Sequence, residues 1–450
     1  MKKFLFAAYN ALLFIFLPFF FVFMLFLSII KDKKAAGFFE KLFPFFKEDI
    51  SRGAGKKGIW IHAVSLGEQM AASEFILKLL EEAKTPVYVS ATTKTGFNYA
   101  KKFCENYEGR VNAIYFPYDF YFSVKKAISI INPSLFICIE TEIWPNLFNM
   151  LNKEEAKITI INARVSEKSF SNYKAFLFFF RYVFSSINLV LCISSSYCEK
   201  FLALGFNSEN LHATGNMKFD SSLPFDRQEP GKISGLWNIL SSGFKVITAG
   251  STHEGEEKII LDIFLSLTPD FKNIALFLAP RHPERFNYVW GLINELPLKP
   301  GGGKIKCLRL SEIYEAGNKA EFFFKGEEKV IILVDIMGEL GQIYNLCDVA
   351  FVGGSMIDAG GHNLLEPLFF GKPVVFGPYV ENFTEIAEEI EKTGAGRKAS
   401  TAFELQEAIR SYLSNEENSS TAKKGGMELI EKNKGVSMKN LIFLRNFLKP

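Results

Sequence analysis

Short polar clusters carrying carboxylates, histidines and basic residues recur along this chain, each placed at the end of a run of β-branched or aromatic residues. In the first half they are His62-Ala63-Val64-Ser65-Leu66-Gly67-Glu68, Glu140-Thr141-Glu142-Ile143-Trp144-Pro145-Asn146, Asn162-Ala163-Arg164-Val165-Ser166 and Gly215-Asn216-Met217-Lys218. In the second half they are Gly250-Ser251-Thr252-His253-Glu254-Gly255-Glu256-Glu257, Pro280-Arg281-His282-Pro283-Glu284-Arg285 and Gly353-Gly354-Ser355. Carboxylates and imidazoles so placed can move protons, and an arginine fork binds oxyanions in pairs of hydrogen bonds. Four of the five histidines, His62, His253, His282 and His362, fall in such segments. Taken singly, each reads as a satisfied structural histidine; their joint placement is what points to a site.

The segment Gly360-Gly361-His362-Asn363-Leu364-Leu365-Glu366-Pro367, followed by GKPVVFGP, carries the most specific chemistry. Two glycines let the backbone approach a ligand closely, and a helix start presents free N–H groups to a phosphate. Glu366, about one turn into that helix, is placed to accept hydrogen bonds from ribose hydroxyls. A plain glycine turn with a first-turn glutamate favoured by the helix dipole gives the same letters. The chain has no D-x-D pair and no H-E-x-x-H spacing. A metal-dependent mechanism is therefore disfavoured and no cofactor is expected, although substrate phosphates can recruit an ion.

The elements that must position these residues follow from hydrophobic pattern. Strands are expected at 58–64, 86–92, 135–140, 157–163 and 189–194, and again at 245–251, 274–280, 329–335, 348–354 and 373–378, with helical periodicity between them, as over Glu68 to Glu82. Such alternation predicts βαβ units and parallel sheets: an α/β protein of two doubly wound, Rossmann-like halves with a crevice between them. A polar, proline-containing stretch from Asp220 to Ser234 reads as the linker. The expected divisions are an anchor over 1–34, domains over 35–220 and 235–430, and a C-terminal helix over 431–450. Phe4 to Ile30 is almost uncharged and long enough for a transmembrane helix, interrupted only by Asn10 and Pro18. A cleaved signal would have a shorter apolar region and a small-residue cleavage site, whereas KDKK follows here. Lys2 and Lys3 flank one side and Lys31, Lys33, Lys34, Lys41 and Lys47 the other, which favours a cytoplasmic main body. A net charge of +3 is too mild to imply a nucleic-acid partner. Six cysteines without a CxxC pair fit a reducing compartment. The 48 phenylalanines read as compositional bias.

The motifs IWIHAVSLGE, IETEIWPN, INARVSEKS, TGNMKFD, AGSTHEGEE, APRHPERF, MGELGQIY, VGGSMIDAGGHNLLEP and GPYVENF, in this order from about Ile59 to Phe383, resemble those of the bacterial 3-deoxy-D-manno-octulosonic acid (Kdo) transferases. The resemblance implies a GT-B type glycosyltransferase at the inner membrane. It further implies CMP-Kdo as donor and a lipid A precursor, lipid IVA, as acceptor, in lipopolysaccharide inner-core synthesis. By the same resemblance Glu68 is the base, and Glu140 or Glu142 together with Lys218 supports the transition state. A helix-start glutamate has its pKa lowered by the dipole, so burial or a nearby carboxylate must offset that if it is to act as a base; a capping glutamate in S-x-G-E is the structural alternative. A surface lysine is the alternative for Lys218. Pro280, Arg281, Gly338, Glu339, Leu340, Asn363, Leu364, Leu365 and Glu366 match the family's nucleotide-contacting positions, and Gly353 and Ser355 join that expected donor site. For Arg281 the alternative is a structural ion pair. One carboxylate base attacking opposite the leaving group predicts inversion. Charge and position make Ser65, Arg164 and Lys168 candidates for acceptor contact. Two competing readings are a GT-B sugar-nucleotide epimerase, which would need no membrane anchor, and an anchored nucleotide-sugar-binding scaffold, which would not need Glu68.

Overall fold

Runs such as IALFLAP and KITIINA are apolar at nearly every position, the pattern of strands covered on both faces of a parallel sheet. In the computed structural model the residues described are 1–30, 35–44, 57–107, 109–220, 243–296, 305–316 and 328–448. Lys31, Lys33, Lys34, Lys47, most of the Arg52–Lys57 stretch and the expected linker beyond Asp220 lie outside them. The chain divides into two compact units, Met1–Ser221 with Gly435–Pro450, and Ser222–Lys434.

The first unit holds β1 (Gly58–His62), β2 (Val87–Ala91), β3 (Val111–Tyr115), β4 (Pro133–Ile139), β5 (Lys157–Ala163), β6 (Leu189–Cys192) and β7 (Leu211–Ala213). They form one sheet in the order β3-β2-β1-β4-β5-β6-β7, every pair parallel. The second unit holds β8 (Lys245–Thr252), β9 (Ile274–Pro280), β10 (Ile305–Arg309), β11 (Lys329–Leu333), β12 (Val349–Val352), β13 (Val374–Phe376) and β14 (Gly396–Lys398). Its sheet runs β10-β11-β9-β8-β12-β13-β14, again wholly parallel. Each sheet reverses its strand order once, at β1/β4 and at β8/β12, and ligands of open α/β sheets bind outside the strand ends at such points. β3, β7, β10 and β14, which pattern reading does not anticipate, are the four sheet edges. Edge strands are half covered, so they lack the continuous apolar run that marks the inner ones.

The helix Lys2–Ile29 is long and apolar enough to cross a membrane. It has two flanks at helical spacing. Phe6, Met24 and Leu27 are buried, and Leu17, Phe20 and Phe21 pack on Phe38, Leu42, Tyr118 and Phe120 of the first unit. Phe16, Phe19, Val22, Phe23 and Phe26 are exposed. At the other end of the chain, the helix Val436–Leu448 belongs to the first unit rather than the second. Val436, Leu441 and Leu444 enter its core, Asp220 accepts the Gly435 and Ser437 N–H groups, and Arg445 forks onto Glu82.

Candidate active site

β1 ends at His62, and the chain turns at once into the helix Leu66–Glu82, with Ser65 as its N-cap. Glu68 reaches back over that turn. The Val64 N–H donates to its Oε2 at 2.6 Å and the Ser65 hydroxyl to its Oε1 at 3.0 Å, while Ser65 Oγ accepts the Glu68 N–H at 3.4 Å. This is capping geometry, and it occupies two of the roughly four lone-pair sites of a carboxylate. Capping does not keep the group acidic. Burial, together with the charges of Glu140 and Glu142, outweighs the Val64 and Ser65 hydrogen bonds and pushes the carboxyl up to about 7.

Glu140 stands just past β4 in a left-handed conformation, φ 61°, which a non-glycine residue holds only when its surroundings fix it. Those surroundings are basic. Arg164, beyond the end of β5, places Nε at 2.9 Å and Nη2 at 2.8 Å from Glu140 Oε2, and Lys218 Nζ lies 4.0 Å from Oε1. Lys218 is brought there by Asn162, whose Oδ1 accepts the Met217 N–H at 2.8 Å, and by Asn216, which accepts the Lys218 N–H. Burial lowers the Lys218 pKa, against the attraction of Glu140. Two carboxylates and two cations thus gather from beyond the ends of β1, β4, β5 and β7, with Glu140 contacting both cations. Glu142 points elsewhere, its Oε2 4.0 Å from His62 Nε2. His62 is fully buried, stacked on Phe116 at 3.6 Å and pushed down to about 3, so it is neutral; burial raises Glu142. Lys168 is exposed on the helix Glu167–Ala175, and none of these bonds reaches it.

In the second unit the segments beyond β8, β9 and β12 converge. His253 and His362 share a hydrogen between their Nε2 atoms at 2.8 Å, with His282 edge-on to His253 at a 5.3 Å ring separation. Burial and the nearby Arg281 push His362 down to about 3, and burial lowers His253. Among the described residues Arg281 makes no salt bridge; the ion pairs of this segment belong to Arg285, with Glu254 and Glu257. Glu366 is half-buried, and loss of solvent pushes it up to about 7; Asn363 Nδ2 donates to it at 3.2 Å and Arg281 draws it down. The helix carrying Glu366 is a single turn, Leu365–Leu368, because Asn363 Oδ1 captures the Leu365 N–H and Gly371 ends the segment. Glu366 is therefore its second residue, not one turn in. Leu364 and Leu365 are fully buried. Gly338, with φ 94° and open space where a side chain would stand, precedes Glu339, which accepts a hydrogen bond from Tyr314 at 2.9 Å, and half-buried Leu340.

The loop Gly353–Met356 differs from its sequence reading. Its N–H groups converge on an anion, but the anion is the protein's own Glu256. Oε2 accepts from His253 and Gly354 at 2.9 and 2.8 Å, and Oε1 from Ser355 and Met356 at 3.0 and 2.9 Å. The Ser355 hydroxyl donates to Val352 and accepts from Gly377, so all its polar groups are used internally. A Cβ on Gly353 would lie 2.6 Å from Ser251 O, so glycine is needed for the close approach of the chain after β12 to the end of β8. Glu256 itself escapes sequence reading, since a first-turn glutamate after glycine looks like an ordinary dipole complement. Pro280 ends β9, directing Arg281, whose N–H binds Thr252 O at 2.9 Å.

Residues 37–221 match the family model described as 3-deoxy-D-manno-octulosonic-acid transferase (kdotransferase), and residues 310–428 that of glycosyl transferases group 1. A 3-deoxy-D-manno-octulosonic acid transferase of Haemophilus influenzae is 32% identical over 395 residues, covering 87% of this chain and 88% of that protein. A bifunctional glycosyltransferase/methyltransferase of Fusobacterium nucleatum is 34% identical over 374 residues, 83% of this chain; the chain spans just over half, 55%, of that relative. Among solved structures, Anabaena HepE in complex with UDP and glucose aligns with a TM-score of 0.54 at 14% identity over 87% of this chain and 99% of that one. A putative UDP-N-acetylglucosamine 2-epimerase from Listeria monocytogenes aligns at 0.52 with 13% identity over 82% and 91%. At such identities these two speak to fold alone, and the fold is the two-unit GT-B type.

Proposed function

Because this chain belongs to the 3-deoxy-D-manno-octulosonic acid transferase family and is a glycosyltransferase, we propose that it moves Kdo from CMP-Kdo to a lipid A precursor such as lipid IVA, with inversion. CMP is a good leaving group, so the step needs a base, cations for the departing phosphate and little else. Glu68 takes the proton of the acceptor hydroxyl as its oxygen bonds to the anomeric carbon of Kdo. The bond from that carbon to the phosphate oxygen breaks, and CMP leaves with the electron pair. Glu140 holds Arg164 and Lys218 in place as the stabilising cations. Ser65 helps keep Glu68 aimed.

The second unit takes the donor. Arg281 supplies a fork that has no salt bridge among the described residues for a phosphate or the Kdo carboxylate, Asn363 and Glu366 suit the ribose, and the backbone near Pro280, Gly338, Glu339 and Leu340 suits the nucleotide. The apolar helix Lys2–Ile29 supports association with the inner membrane, where the acceptor is held, with both units on the cytoplasmic side. An epimerase reading has only the fold in its favour.

One observation carries the proposal: Glu68, at a pKa of about 7, beside the Glu140–Arg164–Lys218 cluster at the first sheet's switch point. The test is Glu68→Gln, with mass spectrometry of lipid IVA after incubation with CMP-Kdo. The variant is expected to bind CMP-Kdo normally and to lose transfer at least about 100-fold. Transfer at the wild-type rate removes Glu68 as the base.

A further inference from the structure

Asn10 interrupts an otherwise apolar helix, and the structure gives it a partner. Asn10 Nδ2 donates to Asn146 Oδ1 at 2.9 Å, and Asn146 Nδ2 returns a bond to Asn10 Oδ1 at 2.8 Å. At the residue before it, the Tyr9 hydroxyl donates to Asp119 Oδ2 at 2.9 Å, with its ring against Phe179. Asp119 and Asn146 are both buried. This is a closed polar network between the apolar helix and the body of the first unit, complete only when the helix is seated.

The network acts on one place. The helix Pro145–Lys153 starts behind Trp144, whose side chain does not cap it, and with a proline that has no N–H to offer. Its first free donors, the Asn146 and Leu147 N–H groups, go to Asp119 Oδ2 and Oδ1, both at 2.9 Å. Asp119 thus caps this helix from a distant loop, favoured by the helix dipole. Between the end of β4 at Ile139 and that capped start lie only residues 140 to 144, the segment carrying Glu140 and Glu142. A segment so short cannot absorb movement at its far end.

We propose that Tyr9 and Asn10 are positioning residues: by latching the apolar helix to Asp119 and Asn146 they fix the start of the Pro145–Lys153 helix, and through it the Glu140–Glu142 segment. The helix is then part of the scaffold of the reaction, not a leash. Its bare flank of Phe16, Phe19, Val22, Phe23 and Phe26 takes the lipid surface, while its latched flank holds the site. Membrane seating and the geometry around Glu68 become one rigid assembly, which fixes the height of the chemistry above the bilayer. The inference rests on the proposed Kdo transfer and adds to it.

The test compares the full chain with Tyr9→Phe and Asn10→Leu in vesicles containing lipid IVA, with CMP-Kdo as donor. Tyr9→Phe keeps the ring on Phe179 and removes only the hydroxyl, so it reads the latch even where Asn10→Leu is poorly folded. A displacement of 1 Å at catalytic groups is worth about 100-fold, and a partial shift gives less. The expected result is a three- to tenfold fall in kcat for Tyr9→Phe and about tenfold or more for Asn10→Leu. KM for CMP-Kdo and vesicle flotation should stay unchanged. The acid limb of kcat/KM should move to lower pH, because carboxylates drawn away from Glu68 raise its pKa less. A purely structural loss would lower activity without moving that limb. Wild-type kcat and an unmoved limb in Tyr9→Phe overturn the latch. A fall in flotation that accounts for the whole loss of rate also overturns it. If the wild-type chain itself transfers no Kdo, the functional reading fails instead, and the two failures are distinct.

Discussion

If Glu68 is the base, the transfer rate must follow its ionisation, and the structure says where. An ordinary glutamate titrates near 4.5, which would leave the rate flat from pH 6 to 8; burial and the charges of Glu140 and Glu142 put Glu68 at about 7. The ionised fraction is then roughly one tenth at pH 6, one half at pH 7 and nine tenths at pH 8. Initial rates at low CMP-Kdo over pH 5.5 to 8.5 should therefore rise about tenfold per unit on the acid side and level off above about 8. Glu140→Gln removes the second-largest upward push and frees the charges of Arg164 and Lys218, so its limb should lie about one unit lower, whatever the rate at the plateau. Stability runs the other way. A carboxyl raised from 4.5 to about 7 on folding keeps its proton in the native state across that window. Its contribution is complete below 4.5 and is lost as pH rises through about 7, so the chain should be losing stability where it gains activity. A flat rate profile between pH 5.5 and 8, or a limb that Glu140→Gln leaves in place, refutes the assignment.

Two further outcomes concern the second unit. Glu256→Gln should destabilise it by about 3 kcal/mol, because an amide offers one acceptor oxygen where four N–H groups converge. Thermal melting should show this as a fall of about 6–12 °C in that unit's transition, and a fall of under about 2 °C would mean the loop holds without the charge. Arg281→Lys keeps the charge and loses the fork, so KM for CMP-Kdo should rise about tenfold or more with a smaller change in kcat; an unchanged KM in steady-state assays would take Arg281 out of donor binding.

What could be read from sequence follows burial. IWIH, FICI, IALFLA and KVIIL sit inside their sheets, where nearly every position is apolar, and pattern alone finds them. VNAIY, LHA, IKCLR and GRK lie at the sheet edges, where water satisfies one side and the pattern is lost. The polar clusters were legible for a related reason. Parallel strands deliver the residues that follow them to one edge of the sheet, so Glu68, Glu140, Arg164 and Lys218 meet although they are far apart in sequence. Their pairing was not legible. Nothing in the letters says that Arg164 and Lys218 choose Glu140 while Glu142 faces His62, because that choice depends on the left-handed turn at Glu140. Asp119 and Asn146 were invisible as partners of Tyr9 and Asn10 for the same reason: these bonds join segments more than 100 residues apart.

The loop after β12 shows how far a rule of sequence can be trusted. Glycines followed by free N–H groups do collect an anion, as the chemistry of backbone dipoles requires. Here the anion is Glu256, which is fully buried and takes four N–H bonds, so the loop has no donors left for a phosphate. An internal carboxylate at that place fixes the loop whether or not a nucleotide is bound, and it holds His253 within reach of His362. On the proposed reading a donor phosphate must then be met elsewhere, and Arg281, whose guanidinium has no salt bridge among the described residues, is adjacent, whereas the Gly360–Gly361 turn is tied down by the Gly361 N–H on Gly354 O and the Asn382 N–H on Gly360 O. The second unit thus has a frame closed by its own charge, and if it takes the donor as proposed, the Gly353–Met356 loop needs no ordering on binding.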